Sequence, residues 1–223
     1  MIKLAIYDMD RTITKRGTYT PFLLYATARL AFFRLLLAPL ILVPMLFYVM
    51  NAISRARLKE WNQRIMLGPH LKPEELARVT AGFAKRTIAN NVYHQAEAQI
   101  AADKADGWRV VLATASYRLY VEAIARELGI DDVIATNSLV GLDGRIQAKI
   151  DGENCYGPAK LHMIQAWMGT QALRREQCCI RFYSDHVSDA VVHQWSDDPV
   201  AVNASPKLRR HARLMGWRAL DWR

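Results

Sequence analysis

Short apolar runs alternate with helical patterns along the chain, and most of the runs end on hydroxyl or acidic residues. Such runs, bounded by turn residues, are typical of buried strands, whereas apolar residues three or four positions apart indicate helices. We predict strands over residues 3–7, 108–114, 130–136, 178–183 and 199–203, helices over 72–91, 92–106, 117–128, 157–168 and 207–218, and a hairpin over 138–149. This alternation is typical of an α/β fold.

The first strand ends on two acids, Asp8 and Asp10, which one residue separates. If the strand periodicity continues to Asp10, both carboxylates lie on one side, beyond the carboxyl end of the strand, where open α/β sheets bind ligands. Two anions in one crevice raise the pKa of one of them unless a cation neutralises the pair. The pair therefore predicts either an acid/base dyad or a magnesium site with one acid free to attack, and the alternative is two solvated acids in a turn.

Further polar residues follow later strands. Thr114 and Ser116 lie between a strand and a helix, where backbone N–H groups favour phosphate, although a threonine there can also be a helix cap. Lys160 falls in the first turn of a predicted helix, which is unfavourable for the helix and indicates either a nearby anion or a solvated surface lysine. Asp185 and Asp189 again follow a strand.

The most unusual segment covers residues 21–50, which are almost wholly apolar apart from Arg29 and Arg34. Residues 35–50 carry no charge, and as a helix they would reach about 24 Å, which is less than the roughly 30 Å of a bilayer's hydrocarbon core. A single crossing would also place the first strand and the rest of its sheet on opposite sides of the membrane. The segment is therefore not expected to be a simple span.

Two prolines, Pro39 and Pro44, favour a bent segment, and basic residues flank it on both sides. The positive-inside tendency then keeps both ends on the cytoplasmic side. We predict that the segment dips into one leaflet of the membrane. The alternative is a helical hairpin buried within the protein.

Composition narrows the class of protein. The 223 residues are 52% hydrophobic, which suits one large domain or a domain with an insertion, and the formal net charge of +9 implies an anionic partner. Candidates are nucleic acid, an anionic membrane surface and a phosphorylated substrate. Three cysteines are too few for a disulfide framework or a zinc site, and the start of the sequence lacks the layout of a secretory signal. We therefore expect the folded part to be cytoplasmic.

The order and spacing of the polar residues resemble the four motifs of the haloacid dehalogenase superfamily, most closely its phosphoserine phosphatase-like subfamily. The matching residues are Asp8-Met9-Asp10-Arg11-Thr12, Thr114 after a buried strand, Lys160 after Gly157, and Asp185 with Asp189. The resemblance implies a Rossmann-like parallel sheet core, formed by residues 1–15 and 92–223, with a helical, apolar cap of residues 16–91 inserted after the first strand. It also implies Mg²⁺ and hydrolysis of a phosphomonoester through an aspartyl-phosphate.

The resemblance assigns a role to each matching residue. Asp8 would be the nucleophile and Asp10 the general acid/base. The remaining assignments are Thr114 and Lys160 to the phosphate oxygens, Asp8, Asp185 and the Asp10 carbonyl to the metal, and Asp189 and Thr12 to support of the site. Thr114 is preferred over Ser116 because it lies nearer the end of the strand.

Three residues depart from the family pattern. Arg11 stands where a small residue, commonly glycine, is usual, Ser184 replaces a common glycine, and His186 replaces a common serine. None of these changes removes a carboxylate that the chemistry needs. They bear on the geometry of the substrate.

The substrate is expected to be a lipid phosphate at the cytoplasmic face of the inner membrane. The apolar cap resembles that of membrane-associated, phosphatidylglycerophosphatase-type members, and the first acidic residue after Asp10 is Glu60, whereas soluble phosphoserine phosphatases carry a glutamate soon after the first motif. The alternatives are a soluble small-metabolite phosphatase and a non-catalytic membrane-bound regulator. No nucleic acid partner is expected, because the basic residues flank an apolar run and do not alternate with aromatic residues. The sequence leaves the oligomeric state open.

Overall fold

One mixed sheet of eight strands runs through the protein, in the order β2-β5-β4-β3-β1-β6-β7-β8. The computed structural model describes residues 1–222. Strands β4, β3, β1, β6, β7 and β8 are parallel to their neighbours, while β5 and β2 are antiparallel at one edge. The strands are β1 (Ile2–Tyr7), β2 (His70–Leu71), β3 (Arg109–Tyr117), β4 (Asp132–Val140), β5 (Ile146–Asp151), β6 (Cys178–Ser184), β7 (Asp198–Val202) and β8 (Arg218–Leu220).

Helices connect the strands and cover both faces of the sheet. They are α1 (Tyr19–Leu30), α2 (Leu42–Val49), α3 (Arg55–Leu67), α4 (Pro73–Asn91), α5 (His94–Ala105), α6 (Arg118–Glu127), α7 (Pro158–Thr170), α8 (Ala190–Trp195) and α9 (Pro206–Met215). Helix α4 begins and ends within a residue of its predicted bounds. The predicted α/β fold with a Rossmann-like, largely parallel sheet core is confirmed.

The alternation of side chains in β1 explains why the sheet is buried on both faces. Leu4 and Ile6 belong to the hydrophobic cluster that includes α7 and α8, whereas Ala5 and Tyr7 belong to the cluster that includes α5, α6 and inserted helices. Successive side chains of a strand point to opposite faces, so a continuous apolar run is required at the centre of such a sheet.

The structure corrects several element boundaries. β4 is one continuous strand that includes residues 132–136 of the predicted strand and the start of the predicted hairpin. β3 extends to Tyr117, so Thr114 and Ser116, predicted to lie between a strand and a helix, belong to the strand. β8 was not predicted, because three residues give no clear periodicity. The predicted helix 207–218 ends at Met215, where Gly216 adopts a left-handed conformation with φ of 68°.

The elements between β1 and β3 pack directly on the rest of the fold. The ring of Phe22 in α1 stacks on Tyr120 of α6 with a centroid distance of 4.3 Å, and Phe83 of α4 meets the same ring edge-on. β2 lies in this insertion and pairs with β5. The division into a core of 1–15 and 92–223 and a cap of 16–91 stays a prediction.

The apolar segment forms a 3-10 helix, Phe32–Ile41, followed directly by α2. Its side chains are largely exposed, as in Phe33 (84%), Leu36 (81%) and Leu42 (67%). For residues 32–49, the alternative of a hairpin buried within this chain is therefore wrong, whereas residues 21–30 belong to α1, which buries Phe22, Leu23 and Ala26. By length and composition alone, Phe32–Val49 is long and apolar enough to cross a membrane.

A buried cluster around Asp103 of α5 joins β1 to β6. Its carboxylate accepts hydrogen bonds from the hydroxyls of Tyr7 (2.6 Å) and Tyr183 (2.9 Å) and from Arg181 (2.8 Å). The two tyrosine rings stack at 4.1 Å. Burial raises the pKa of Tyr7 above its usual value and that of Tyr183 to about 12, so both hydroxyls keep their protons as donors.

We predict that Asp103→Ala lowers the free energy of unfolding by about 3–5 kcal/mol, because it leaves buried donors without their acceptor. Asp106→Ala, at the exposed end of the same helix, should change it by less than about 0.5 kcal/mol. Urea unfolding followed by circular dichroism measures both. Equal effects would show that the buried cluster does not stabilise the pairing of β1 with β6.

Candidate active site

The carboxyl ends of β1, β3 and β6 and the start of α7 surround one pocket of about 500 Å³. Six of the residues singled out from the sequence line it, namely Asp8, Asp10, Thr114, Lys160, Asp185 and Asp189. Thr12 is buried beside it, and its hydroxyl lies 3.5 Å from Asp8 Oδ2. Residues far apart in the sequence thus meet at one edge of the sheet, as the pattern of strand ends predicted.

A wide turn over Met9–Ile13 brings Asp8 and Asp10 into the same pocket. The turn is closed by the backbone N–H of Thr14, which donates to the carbonyl of Met9 at 3.0 Å. Arg11 lies at its centre with φ of 64°, in the left-handed region that glycine adopts most readily. This conformation explains why a small residue is usual at position 11.

The carboxylate of Asp10 is held by three donors. Oδ1 accepts from the backbone N–H and the hydroxyl of Thr18, at 2.7 and 2.8 Å, and Oδ2 accepts from the hydroxyl of Ser116 at 2.7 Å. Ser116 is therefore engaged with Asp10, while Thr114 lines the pocket. The geometry favours Thr114 over Ser116 as the residue that faces a phosphate, and this role stays a prediction.

Lys160 links two carboxylates from different strands. Its ammonium group is buried and donates to Asp8 Oδ1 at 2.9 Å and to Asp189 Oδ2 at 2.6 Å. Burial lowers the pKa of Lys160, but Asp189 and Asp8 outweigh this effect and raise the pKa above its usual value. The hydroxyl of Ser184 donates to the same oxygen of Asp189 at 2.7 Å, which gives the departure at position 184 a contact of its own.

Despite Lys160, the site carries excess negative charge. Burial raises the pKa of Asp8 to about 7, with Lys160 opposing and Asp189 and Asp185 adding to the shift. Burial, together with Asp189, raises the pKa of Asp185 to about 6. Such shifts indicate that another positive charge would stabilise the ionised carboxylates.

The donor set fits a hard divalent cation. Oδ1 of Asp189 is buried without a hydrogen-bond partner, and Asp8 and Asp185 supply further carboxylate oxygens. Within residues 1–222, no three His, Cys, Asp or Glu side chains form a metal cluster by themselves. Mg²⁺ is commonly bound through one or two carboxylates, with water and substrate phosphate completing its shell, so the residues present are compatible with it.

The rim contains residues that the sequence analysis did not assign to the site. Tyr19 and Arg55 come from the insertion, and Tyr156 and His186 come from the other side. The guanidinium of Arg55 lies 4.3 Å from the centre of the Tyr156 ring. No sequence signal distinguished Arg55 from the neighbouring basic residues, because its position depends on where α3 packs.

We predict that Asp185→Asn stabilises the metal-free protein increasingly as the pH rises. The pKa of Asp185 is about 6 in the folded protein against the usual 3.8. The folded state therefore binds more protons than the unfolded state between these values, and ionisation of Asp185 lowers stability as the pH rises. At about pH 7 the free energy of unfolding of the variant should exceed that of the wild type by roughly 1–3 kcal/mol.

Urea unfolding in the presence of a chelator, at pH values on either side of this window, measures the difference. Asp197→Asn is the control of opposite sign. Burial raises the pKa of Asp197, but Arg175 and the hydrogen bond from the backbone N–H of Ile180 together outweigh burial and lower the pKa. A gain for Asp185→Asn that is independent of pH would contradict the prediction.

Comparison with known proteins identifies the family. A haloacid dehalogenase-like hydrolase family model matches residues 5–191. A Streptomyces azureus protein named for inhibition of morphological differentiation is 32% identical over 173 residues, which are 78% of this chain and 58% of that protein. A Mycobacterium tuberculosis protein named phosphoserine phosphatase is 30% identical over 117 residues, 52% of this chain and 37% of that protein. The chain thus spans little more than half the length of the first relative and less of the second.

Solved structures share the fold. A Bordetella pertussis protein of unknown function superimposes with a TM-score of 0.85 and 24% identity over 99% of both chains. A phosphoserine phosphatase described as a phospho-aspartyl intermediate analogue superimposes with a TM-score of 0.64 and 17% identity over 99% of this chain and 93% of that one. The resemblance drawn from the sequence motifs is confirmed, and the chain belongs to the haloacid dehalogenase-like hydrolases.

Proposed function

We propose that this protein is a Mg²⁺-dependent phosphomonoesterase that acts through an aspartyl-phosphate at Asp8. The observation that carries the proposal is the contact between the Lys160 ammonium group and Asp8 in a buried pocket that Thr114 also lines. A dianionic phosphoryl group approaches a carboxylate only where positive charge offsets the repulsion. The phosphoserine phosphatase that shares this fold was captured as an analogue of a phospho-aspartyl intermediate, which supports the same chemistry here.

The chain's own residues divide the reaction between them. Lys160 holds Oδ1 of Asp8, so Oδ2, with only a long contact to Thr12, is the oxygen that attacks phosphorus. As this bond forms, the bond from phosphorus to the leaving oxygen breaks, and Asp10 donates a proton to that oxygen. Asp10 then removes a proton from the water that hydrolyses the aspartyl-phosphate. Thr114 and Lys160 contact the phosphate oxygens.

Asp8, Asp185 and the backbone carbonyl of Asp10 would hold Mg²⁺, with Asp189 supporting them. The ion supplies positive charge to the phosphoryl oxygens. The raised pKa values of Asp8 and Asp185 support this proposal, because burial and neighbouring carboxylates disfavour their ionised forms, which a bound cation would stabilise.

We further propose a lipid phosphate as the substrate and a peripheral or re-entrant position at the cytoplasmic face of the inner membrane. A short turn, residues 50–54, joins the exposed apolar α2 to Arg55 on the pocket rim. A substrate with its phosphate in the pocket would therefore have the apolar surface nearby. Exposed apolar surface rimmed by basic residues is the combination that binds anionic membranes.

The rim argues against an amino acid as substrate. No acidic side chain from residues 16–91, all of which the structure describes, lines the pocket. Glu60 instead accepts a hydrogen bond from the backbone N–H of Ile150 at 2.9 Å. The insertion presents the cation Arg55 to the pocket, so it suits a substrate with an anionic group more than one with an ammonium group.

We predict that Asp8→Asn abolishes magnesium-dependent release of phosphate from an aryl phosphate and retains the fold, because the amide has nearly the same volume but is not a nucleophile. Asp143→Asn, at an exposed turn, is the matched control and should keep wild-type activity. Phosphate release and circular dichroism are measured on the same samples. Wild-type turnover by folded Asp8→Asn would refute the assignment of Asp8.

We also predict that Leu36→Glu combined with Leu42→Glu reduces binding to vesicles that contain anionic phospholipid by more than about 100-fold, since each buried leucine contributes about 2 kcal/mol. Hydrolysis of a soluble aryl phosphate should not change, because neither residue lines the pocket. Leu214→Glu, which alters an exposed leucine of α9, is the control.

Co-sedimentation with vesicles at low and high salt measures this binding. High salt alone should not release the wild type, because apolar burial persists when charges are screened. A wild type that ignores vesicles would refute the membrane proposal and favour the small-metabolite phosphatase, with the apolar segment as a surface between copies of the chain.

A further inference from the structure

Lys59 is a buried lysine of the insertion that reaches into the sheet. It lies in α3 with 7% of its surface exposed, and its ammonium group donates to the carbonyl of Ala115 at 2.5 Å and to Oδ1 of Asn154 at 2.8 Å. Lys59 does not line the pocket. Its effect on the chemistry can therefore pass through the residues it contacts or through the interaction of its charge with Asp10.

Its two acceptors belong to two different segments that lead into the pocket. Ala115 lies between Thr114, which lines the pocket, and Ser116, which donates to Asp10. Asn154 begins the segment that leads through Tyr156 to the start of α7, where Lys160 lies. The ammonium group of Lys59 thus connects the end of β3, which contains Thr114, with the segment that leads to Lys160.

The hydroxyl of Thr136 cannot replace these contacts. It lies 2.8 Å from the Ala115 carbonyl and 3.1 Å from Asn154 Oδ1, but its one hydrogen can serve a single acceptor at a time. A lysine ammonium group has three hydrogens and satisfies both. The Thr136 oxygen in turn accepts the backbone N–H of Cys155 at 3.1 Å.

The backbone around Lys59 is also fixed to the rim. The hydroxyl of Tyr19, itself a pocket residue, donates to the carbonyl of Lys59 at 2.7 Å, and the ring of Tyr117 lies 4.6 Å from the Lys59 ammonium group. The inserted helix α3, the end of β3 and the pocket rim are therefore connected by one set of contacts around Lys59.

We infer that Lys59 is a positioning residue, which orders residues 114–116 at the end of β3 for phosphate only when α3 is seated on the sheet. The inference rests on the proposed function, because it assigns Thr114 to a phosphate oxygen. Binding of the phosphoryl group is thereby coupled to the position of the insertion. No other donor that the structure describes between residues 16 and 91 bonds to the Ala115 carbonyl.

The test replaces Lys59 with methionine, which keeps an unbranched apolar side chain and removes the donors. Arg57→Met is the matched control, since Arg57 lies on the same helix, is exposed and contacts only the side chain of Glu60 and the capping Ser54. We expect Lys59→Met to lower kcat/KM for an aryl phosphate by about 10- to 100-fold, as misplacement of a binding group does. KM and the Kd for inorganic phosphate should carry most of the loss.

Hydrogen exchange provides a second readout. In Lys59→Met the amides of residues 114–117 should exchange faster than in the wild type, and in Arg57→Met they should not. If Lys59 only anchors the insertion, Lys59→Met will lower the melting temperature but leave phosphate affinity and these amides unchanged, which would overturn the inference.

Asn154→Ala keeps the test valid should Lys59→Met not fold. It removes one of the two acceptors of the Lys59 ammonium group. KM and the Kd for inorganic phosphate should both rise, by a smaller factor than in Lys59→Met. Wild-type values in Asn154→Ala would overturn the inference. Failure of the proposed function is distinguishable, because wild-type protein would then release no phosphate with Mg²⁺ while exchange at residues 114–117 would still report on Lys59.

Discussion

The arrangement of carboxylates in the pocket depends on the contacts of the buried Lys160 ammonium group. It lies 2.9 Å from Asp8 and 2.6 Å from Asp189, in a place where either carboxylate without a partner would be strongly destabilising. Lys160 does not offset the burial of Asp8 and its repulsion by Asp189 and Asp185, and the pKa of Asp8 remains raised to about 7. The fold thus brings together carboxylates whose ionised forms a bound metal ion would stabilise.

Pairing of the strands delivers these groups to one place. Tyr7 pairs with Tyr183 in the parallel register of β1 and β6, so the residues that follow them, Asp8 and Ser184, emerge side by side. Asp103 accepts hydrogen bonds from both tyrosines, and this cluster fixes the strands immediately before the pocket begins. The backbone N–H of Asp8 still donates to the Tyr183 carbonyl at 2.9 Å, so the sheet itself positions the carboxylate.

The sequence was sufficient to predict the strands and the polar residues at their ends, because both leave local signals: an apolar run and the residue that stops it. It could not predict that Ser116 contacts Asp10, or that Lys59 and Arg55 approach the pocket, since these contacts depend on how α3 packs against the sheet. The short β8 and the unbroken β4 were missed for a related reason, because pairing with a neighbouring strand defines them more than their own pattern does. The left-handed backbone at Arg11 was likewise hidden by a residue type that rarely adopts it.

Hydrogen bonds from Arg34 and a ring contact of Phe47 attach the exposed apolar segment to α3. Arg34 donates to the carbonyl of Ile65 at 2.9 Å, near the end of α3, where helix carbonyls lack partners within the helix. It also donates, at 3.2 Å, to the carbonyl of Arg64, which accepts the N–H of Gly68 as well. The ring of Phe47 in α2 lies edge-on to that of Trp61 in α3, with a centroid distance of 6.1 Å. These contacts, with the partly buried Leu35, Ala38 and Ile41, hold the segment in place and leave most of its other apolar side chains exposed. Exposed apolar surface of this extent commonly marks a site of membrane or protein interaction, and the described part of this chain leaves this external surface uncovered. α3 therefore connects that external surface with the rim of the pocket.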